Sequence, residues 1–548
     1  MSLIRKIKDL ARFEQVISTL FKYDLGYLIK RIKLHKFLSA KDRLKKQKFL
    51  EKEYKPKLLR KALEELGGGF IKLGQLLSLR PDLIPKEYCD EFSKLQDEVK
   101  AFPTEEAKSI IVTELKKSMK KIFKEFSDKP IAAASIGQVH RATLKSGEEV
   151  IVKVQRLGVK EKIQQDIDIL KYLAELIDEH LSLEFVDFEG IVKEIERYTK
   201  DELDYLKEAH NINTFREHNK DDKTIIVPKV YNDLTTKKVL VMSFINGVEI
   251  KKIKKPNRKL ANIVVNSVLK QVYIDGFFHA DPHPSNILVV RNKIAFIDFG
   301  IIGRFNRDLR KKMFSLFQSL IERSSEDLVK ALINLGVVEE EIDQETIKED
   351  FSANFDKYYS SKLEEIDFGE VFHKITEIAR KYKIKLPVDF VLYGKTVITV
   401  ESVAEKLDPK FNIVKTAKPF IEKQLKKQLD PLNIFDEIKD NATRLADFLK
   451  NVPIKTRRIL SKIDKTEKSL KEIDKDLKIF TEEVDKSSNR IAYAMILTGV
   501  LICSALLFNE KTYTILGISA FSFVGFIIAG IITMMIIVSV LKEKRFKR

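Results

Sequence analysis

The sequence predicts an α+β fold of two lobes, with a helical extension ahead of them and a transmembrane helical hairpin behind. Three observations carry this. Strand-like alternation begins near Ile131, gives way to a long helical stretch, and resumes before Gly247. After Pro256 the chain reads mostly helical, with one short strand pair at ILVVRNKIAFIDFG. Two uncharged stretches close the chain, Ile491 to Phe508 with 18 residues and Ile515 to Leu541 with 27.

Residues 1–130 form the expected helical extension. KPKLLRKALEELGGGFIKLGQLLSL spaces its apolar residues at helical intervals, interrupted by three glycines. The first lobe is placed at 131–250. There IGQVHRATLKSGEEVIVKVQRL alternates and is rich in Val and Ile around a Ser-Gly turn, the mark of a strand hairpin. A helical stretch from about Leu157 to His218 follows. TIIVPKVYNDLTTKKVLVMSFING then reads as two more strands around a polar turn. The second lobe is placed at 251–430. Residues 431–490 are highly charged with sparse apolar spacing and predict a helical stalk, leading to a hairpin with a basic tail at 491–548.

A length of 548 residues suggests two to four structural units, and 44% hydrophobic residues exclude global disorder. The formal net charge is +19. Such an excess suits anionic partners. Nucleotide phosphates and anionic membrane lipids are the ones expected, nucleic acid is not, and a Lys-biased surface is the plainer alternative. The two cysteines, Cys89 and Cys503, have no zinc spacing, and the second lies inside an apolar run, so a disulfide is not expected. The N-terminus is amphipathic and lacks a signal-peptide pattern, which places the bulk of the chain in the cytoplasm.

A bilayer core needs about 20 apolar residues in a helix, so the first terminal stretch just spans and the second spans with tilt. The short polar NEKTYT between them makes an antiparallel hairpin, in which Gly499, Gly517, Gly525 and Gly530 permit close contact. Basic residues flank the outer ends: Arg490 before the first span, and Lys542, Lys544, Arg545, Lys547 and Arg548 after the second. Positive residues stay inside, so the expectation is a two-pass cell-membrane protein with both termini and the large domain cytoplasmic.

The chemistry concentrates in FFHADPHPSNILVVRNKIAFIDFG. Asp281 and Asn286 stand five apart, as in the protein-kinase pattern H-R-D-x-x-x-x-N, and Asp298 follows within Asp-Phe-Gly. Phosphoryl transfer from ATP needs a divalent metal at the phosphate oxygens. Asn286 and Asp298 offer hard oxygen ligands suited to Mg2+. Asp281 would face the acceptor hydroxyl or water. Upstream, Val150-Ile151-Val152-Lys153 matches the strand whose lysine meets the α/β-phosphates, and its helix partner is expected among Glu202, Asp204 and Glu208. ATP or ADP would sit under the loop Ala132, Ala133, Ala134, Ser135, Ile136, Gly137, Gln138, Val139, with Met242 also placed in the nucleotide site. The architecture is thus a two-lobed protein-kinase-like fold.

Two departures from ordinary protein kinases matter. The nucleotide loop is rich in alanine where glycine would let the backbone approach phosphate closely, so the triphosphate should sit differently. No Ala-Pro-Glu follows Asp-Phe-Gly, and Ala280 replaces the arginine of the catalytic loop, so the peptide-docking platform is missing.

With these features the chain resembles the UbiB family of atypical kinase-like proteins over roughly residues 55–400. The resemblance rests on Lys72-Leu73-Gly74-Gln75, the Ala-rich loop, EVIVKVQR, ELDYLKEA, HADPHPSN and IDFG in order, and the hairpin also fits. Leu157 stands where the family commonly has proline. The resemblance implies that the Lys72 to Gln75 segment folds over the active site, that Lys72 approaches Glu202 and Asp204, and that Glu208 pairs with Lys153. It also implies an ATPase, supporting ubiquinone or related isoprenoid-lipid biosynthesis at a membrane, beside isoprenoid-quinone biosynthetic enzymes. The expected activity is therefore that of an atypical ATP-dependent phosphotransferase or ATPase. A small-molecule kinase, suggested by His283 two after Asp281, and a pseudokinase scaffold are the alternatives. The intact phosphate and metal residues argue against the scaffold.

Overall fold

The computed structural model describes residues 9–34, 56–95, 100–181, 187–322, 324–338, 346–347, 349–350 and 367–428, with short pieces between 497 and 534. The chain divides into two units, Met1–Gln428 and Leu429–Arg548.

The first unit opens with a helical layer. Helix α1 (Leu10–Lys22) is capped by Asp9, whose carboxylate accepts from Arg12 N. It buries Phe13, Val16, Ile17 and Phe21, the spacing of one helix face. Short α2 (Gly26–Arg31) follows. Helices α3 (Pro56–Leu66) and α4 (Gly68–Ser78) are separated at Gly67, and Gly67 and Gly68 take φ of 67° and 51°, a region that disfavours a side chain. Then come α5 (Lys86–Phe92) and α6 (Thr104–Leu115).

The first lobe is a sheet of order β1–β3–β4–β6 with β2 at the side of β3. Its strands are β1 (Phe123–Phe126), β2 (Ala132–Ala133), β3 (Gly137–Leu144), β4 (Glu149–Gln155) and, later, β6 (Val239–Ser243). The sheet thus takes in a strand that starts before Ile131, where alternation was expected to begin. The four-residue FKEF is too short to register as a pattern. Val150, Val152 and Val154 are fully buried against Val239 and Val241.

The helical stretch expected from Leu157 to His218 is three helices: α7 (Val159–Leu181), α8 (Phe188–Glu202) and α9 (Tyr205–His218). Asp204 makes the second break, its side chain accepting from Leu206 N as an N-cap. α7 packs Ile169, Leu170 and Leu173 against α1 and the Phe70–Ile71 face of α4. Arg12 and α4 also converge on one buried carboxylate of α7. Asp166 takes Arg12 Nε at 2.9 Å and Gly69 N at 2.8 Å, while Arg12 Nη2 reaches Leu66 O at 2.7 Å. A Cβ on Gly69 would stand 2.7 Å from Asp166 Cβ, so the close approach requires glycine there.

Of the two strands expected after His218, only β6 joins the first sheet. β5 (Ile225–Ile226) pairs in parallel with the second lobe instead, in a sheet of order β5–β10–β9–β7. Pro228 lacks the N–H that would continue it. The second lobe adds β7 (Val248–Glu249), helix α10 (Arg258–Lys270) continued by a wide turn at Gln271–Asp275, β8 (Phe277–His279), β9 (Ile287–Val290), β10 (Lys293–Phe296) and β11 (Ile302–Arg304). Helices α11 (Arg307–Glu322), α12 (Ser325–Leu335), α13 (Phe368–Lys381), α14 (Val388–Leu407) and α15 (Ile413–Gln428) enclose the largest core, with Phe278, Phe296, Phe299 and Phe390 among its buried rings.

Burial also fixes protonation. It lowers the pKa of His140, whose Nδ1 lies 2.8 Å from Ser127 O, and of His373. A folded pKa below the unfolded one means the unfolded chain binds more protons on acidification. Stability from these two histidines is present above about pH 6.5 and is lost as pH falls from there, by up to about 1.4 kcal/mol per pH unit for each. The denaturation midpoint of the first unit should fall between pH 7.5 and 5.5, and His140→Gln should flatten that slope. An unchanged slope would count against buried neutral imidazoles.

In the second unit the described pieces are few. The predicted stalk at 431–490, Arg490 and the basic tail lie outside them, as does part of each predicted span. Among the described residues no helix is long and apolar enough to cross a membrane. Residues 497–505 and 522–531 are helical. The predicted second span does not run as helix from Ile515: Thr514–Ile515 pairs with Ile518–Ser519 as a small antiparallel hairpin. β-branched Thr514, Ile515 and Ile518 favour that. The two helical pieces meet at small residues. Ser522 Oγ donates to Ser504 O at 2.6 Å, and a Cβ on Gly525 would fall 1.9 Å from Ser504 Oγ. Leu501, Ile502, Val524, Phe526, Ile527 and Met534 are exposed, while Ser504, Ser522 and Ala529 are buried.

Candidate nucleotide site

A cleft of about 660 Å³ lies between the lobes, under the Ala132 to Val139 loop. The loop is held by its backbone. Ala132 and Ala133 pair with Val139 and Gln138, Ala134 N donates to Gly137 O at 2.8 Å, and Arg156 N donates to Ile136 O at 2.8 Å. Ile136 buries against Val159, Ile163 and Ile167 of α7 and pins the tip. Gly137 admits no side chain: a Cβ would stand 2.4 Å from Val154 O and 2.8 Å from the Tyr205 hydroxyl. The Ser135 hydroxyl is shielded from solvent and has no hydrogen-bond partner among the described residues. Gln138 turns its side chain away from the cleft. Its Oε1 accepts from Phe102 N at 3.0 Å and its Nε2 lies 2.9 Å from His140 Nε2. Met242 sits in the core opposite Ile151 on β4 and is not part of the cleft wall.

The floor of the cleft is a charge network. Lys153 Nζ on β4 lies 2.5 Å from Glu208 Oε1 on α9 and 3.7 Å from Asp298 Oδ2. Glu208 also accepts from Phe299 N at 3.3 Å, which ties α9 to the Asp-Phe-Gly turn. Burial works against the Lys153 ammonium, but Asp298 and Glu208 outweigh it and hold its pKa above the ordinary lysine value. Lys153 in turn holds the Asp298 carboxyl below the usual range. Burial lifts Glu208 against the pull of Lys153. Asp298 is enclosed by the lobes, yet 49% of its side chain stays open to the cleft.

Strand pairing brings the catalytic loop beside that turn. β8 pairs with β11, so Ala280 N donates to Ile301 O at 3.1 Å, and Ile297 N donates to Asn286 O at 3.2 Å. A Cβ on Gly303 would run into the Phe278 ring at 2.1 Å, so this pairing depends on glycine. Asn286 Nδ2 donates to the main-chain O and to Oδ2 of Asp281, both at 3.2 Å. That commits the amide nitrogen and leaves the amide oxygen as the ligating end. Among the described residues no three His, Cys, Asp or Glu side chains form a metal cluster. The oxygens of Asp298 and Asn286 fit a Mg2+ that draws its remaining ligands from phosphate and water, the usual arrangement for that ion.

The extension reaches the same cleft. Lys72 on α4, only 8% exposed, donates to Glu202 Oε1 at 2.7 Å at the end of α8. It is near enough to Asp298 to help hold that carboxyl low. Asp204 caps α9 through Leu206 N at 3.1 Å. Gln75 Nε2 approaches Leu95 O at 3.4 Å, within the extension. Two contributors carry no motif signal: Arg304, which lines the cleft and donates to Asn211 Oδ1 at 3.1 Å, and Lys395, which donates to Asp281 Oδ1 at 2.9 Å. Both lie far in sequence from what they touch, so only the fold could reveal them.

A family model for the ABC1 atypical kinase-like domain matches residues 94–332, one for the UbiB helical domain residues 351–412, and one for the ABC1/UbiB kinase-like C-terminal domain residues 475–542. An uncharacterized protein of Synechocystis is 32% identical over 83% of this chain and 80% of its own. The chloroplastic Activity of BC1 Complex Kinase 7 of Arabidopsis thaliana is 32% identical over 89% of this chain and 72% of its own. Among solved structures, that of a Mycobacterium tuberculosis protein complexed with erythromycin aligns at a TM-score of 0.45 and 22% identity, over 65% of this chain and 93% of that one.

Proposed function

The chain belongs to the ABC1/UbiB family of atypical kinase-like proteins, and from that premise we propose that it is a membrane-anchored ATPase binding Mg-ATP. The observation that carries this is the Lys153–Glu208–Asp298 network on the floor of the cleft. It sets a fixed cation where anionic phosphates enter and a carboxylate beside it for their metal. When bound, Mg2+ supplies neutralising charge at the phosphate oxygens, held by Asp298 and the Asn286 amide oxygen. Lys153 orients the α- and β-phosphates. Glu208 keeps Lys153 in place, and Asp281 orients the acceptor hydroxyl or water.

Lys72 favours ATP turnover over protein phosphorylation. Its pairing with Glu202, a residue of the cleft wall, brings α4 to the edge of the cleft, and the family resemblance implies that this segment occupies the space where a peptide would lie. The anchor is supported by the second unit, where the described exposed residues are mostly apolar, with Thr498 and Thr533 the polar ones, and the buried ones are Ser504, Ser522 and Ala529. That inverts the pattern of a water-soluble helix pair and suits helices facing lipid. In this reading the hairpin passes the cell membrane twice, with both termini and the kinase-like unit cytoplasmic and the basic tail on anionic lipid. The service to ubiquinone or a related isoprenoid lipid, and to its biosynthetic enzymes, rests on the family resemblance alone.

The test is ATP turnover of the full chain with and without anionic liposomes. We expect magnesium-dependent hydrolysis that liposomes stimulate, with phosphorylation of generic proteins far below the usual 1–100 per second of about that order for kinases. Lys72→Ala should lower turnover, or lower stability by about 1 kcal/mol as Glu202 loses its ammonium partner. Efficient protein phosphorylation would overturn the reading.

A further inference from the structure

The segment His279 to Asn286 carries a carboxylate but no standing cation. It holds neither lysine nor arginine, and its two histidines are engaged: Asp281 N donates to His279 Nδ1 at 3.2 Å, and His283 Nδ1 lies 2.7 Å from Ser285 Oγ. Yet phosphoryl transfer develops negative charge that fixed positive groups have to meet. The fold brings a cation in from α14: Lys395 Nζ lies 2.9 Å from Asp281 Oδ1. Asp281 Oδ2 is held by Asn286 Nδ2 at 3.2 Å. Both carboxylate oxygens are therefore fixed, each by a different element.

Helix α14 is braced to the strands that carry this loop. Asp389 Oδ1 accepts from Arg304 N on β11 at 3.0 Å. The Tyr393 hydroxyl meets that of Tyr273 at 2.8 Å, and Thr396 Oγ1 donates to Leu392 O at 2.9 Å while reaching His279 O on β8 at 3.4 Å. Gly394 lets the helix lie close, since a Cβ there would meet the Phe372 ring at 2.0 Å. Lys395 is thus delivered by a rigid support. Its side chain is 33% exposed and that of Asp281 34%, so the pair is open to solvent rather than sealed in the core.

We infer that Lys395 is a positioning residue of the phosphoryl-transfer site: it pins the Asp281 carboxylate and supplies the positive charge that the catalytic loop lacks. This rests on the ATP-turnover reading above. An ordinary half-exposed ion pair would contribute little, and equally to every step.

The experiment compares wild type, Lys395→Met and Lys395→Arg in steady-state ATP hydrolysis and in Mg-ADP binding. For Lys395→Met, kcat should fall about 10- to 100-fold, the range of a lost orienting partner, with KM and the Mg-ADP Kd changed by less than about threefold. Lys395→Arg should recover most of kcat. Asp281→Asn with Lys395→Met should be no slower than the slower single variant, because the two act as one unit. A kcat within twofold of wild type, or losses that multiply, would overturn the inference. Should wild type hydrolyse no ATP, the functional reading fails by itself. The pair is then read from denaturation midpoints of the two single variants and the double: non-additive shifts support it, and additive shifts overturn it.

Discussion

Asp298→Asn should remove magnesium-dependent ATP turnover, by about 100-fold or more, a loss of about 2.7 kcal/mol in transition-state stabilisation. The substitution keeps the shape of the side chain and an oxygen for Gly300 N, which Asp298 Oδ1 now accepts at 3.0 Å. What it removes is the negative charge of a metal ligand. It also removes like charge near Glu208, which Asp298 helps to push upward. The charge also pairs with Lys153 at 3.7 Å, so the apo protein should melt slightly lower than wild type, while Mg-ADP binding, followed by calorimetry, collapses. Asp281→Asn should behave differently, sparing binding more than turnover, because Asp281 serves the acceptor. An Asp298→Asn protein with full magnesium-dependent ATPase would remove this residue from the metal site.

Lys153→Met should destabilise the kinase-like unit by about 3–5 kcal/mol, the cost of leaving one member of a buried ion pair alone. Glu208 is 7% exposed, and its other bond in the network is to Phe299 N. Without the ammonium, Glu208 and Asp298 are left as two neighbouring carboxylates. For a unit of this size each kcal/mol moves the midpoint by about 1 °C, so a drop of about 3–5 °C is expected in thermal denaturation. Adding Glu208→Gln to Lys153→Met should recover a large part, since a neutral amide is far cheaper to bury than a lone carboxylate. A single variant melting within about 1 °C of wild type, about 1 kcal/mol or less, would mean the pair is solvated in solution.

The kinase-like architecture was legible because its markers are local. Asp281, Asn286 and Asp298 lie within eighteen residues of one another, and the β3–β4 hairpin announces itself by alternation around a tight turn. Lys153 and Glu208 could be placed in one site because each stands on an element with a pattern of its own. The rest depends on contacts that sequence spacing does not encode. Nothing near Lys395 hints at Asp281, 114 residues away. The departure of β5 to the second lobe turns on two residues and a proline. Gln138 reads as part of a phosphate loop, yet alternation along β3 sends its side chain to the opposite face, where Phe102 N and His140 take it. Asp204 sits among acids of one charge run, and only helix geometry separates its capping role from the contact that Glu202 makes with Lys72.

The bond from Arg12 to Asp166 joins residues 154 apart. A ribosome adding about 5–20 residues per second needs roughly 10–30 s to cover that distance. During that interval α1 has left the exit tunnel with Phe13, Val16, Ile17 and Phe21 on one face and no α7 to cover them. In the nascent chain α1 is therefore an amphipathic helix whose partner α7 is still missing, its apolar face open to a chaperone or to a lipid surface until residue 166 follows.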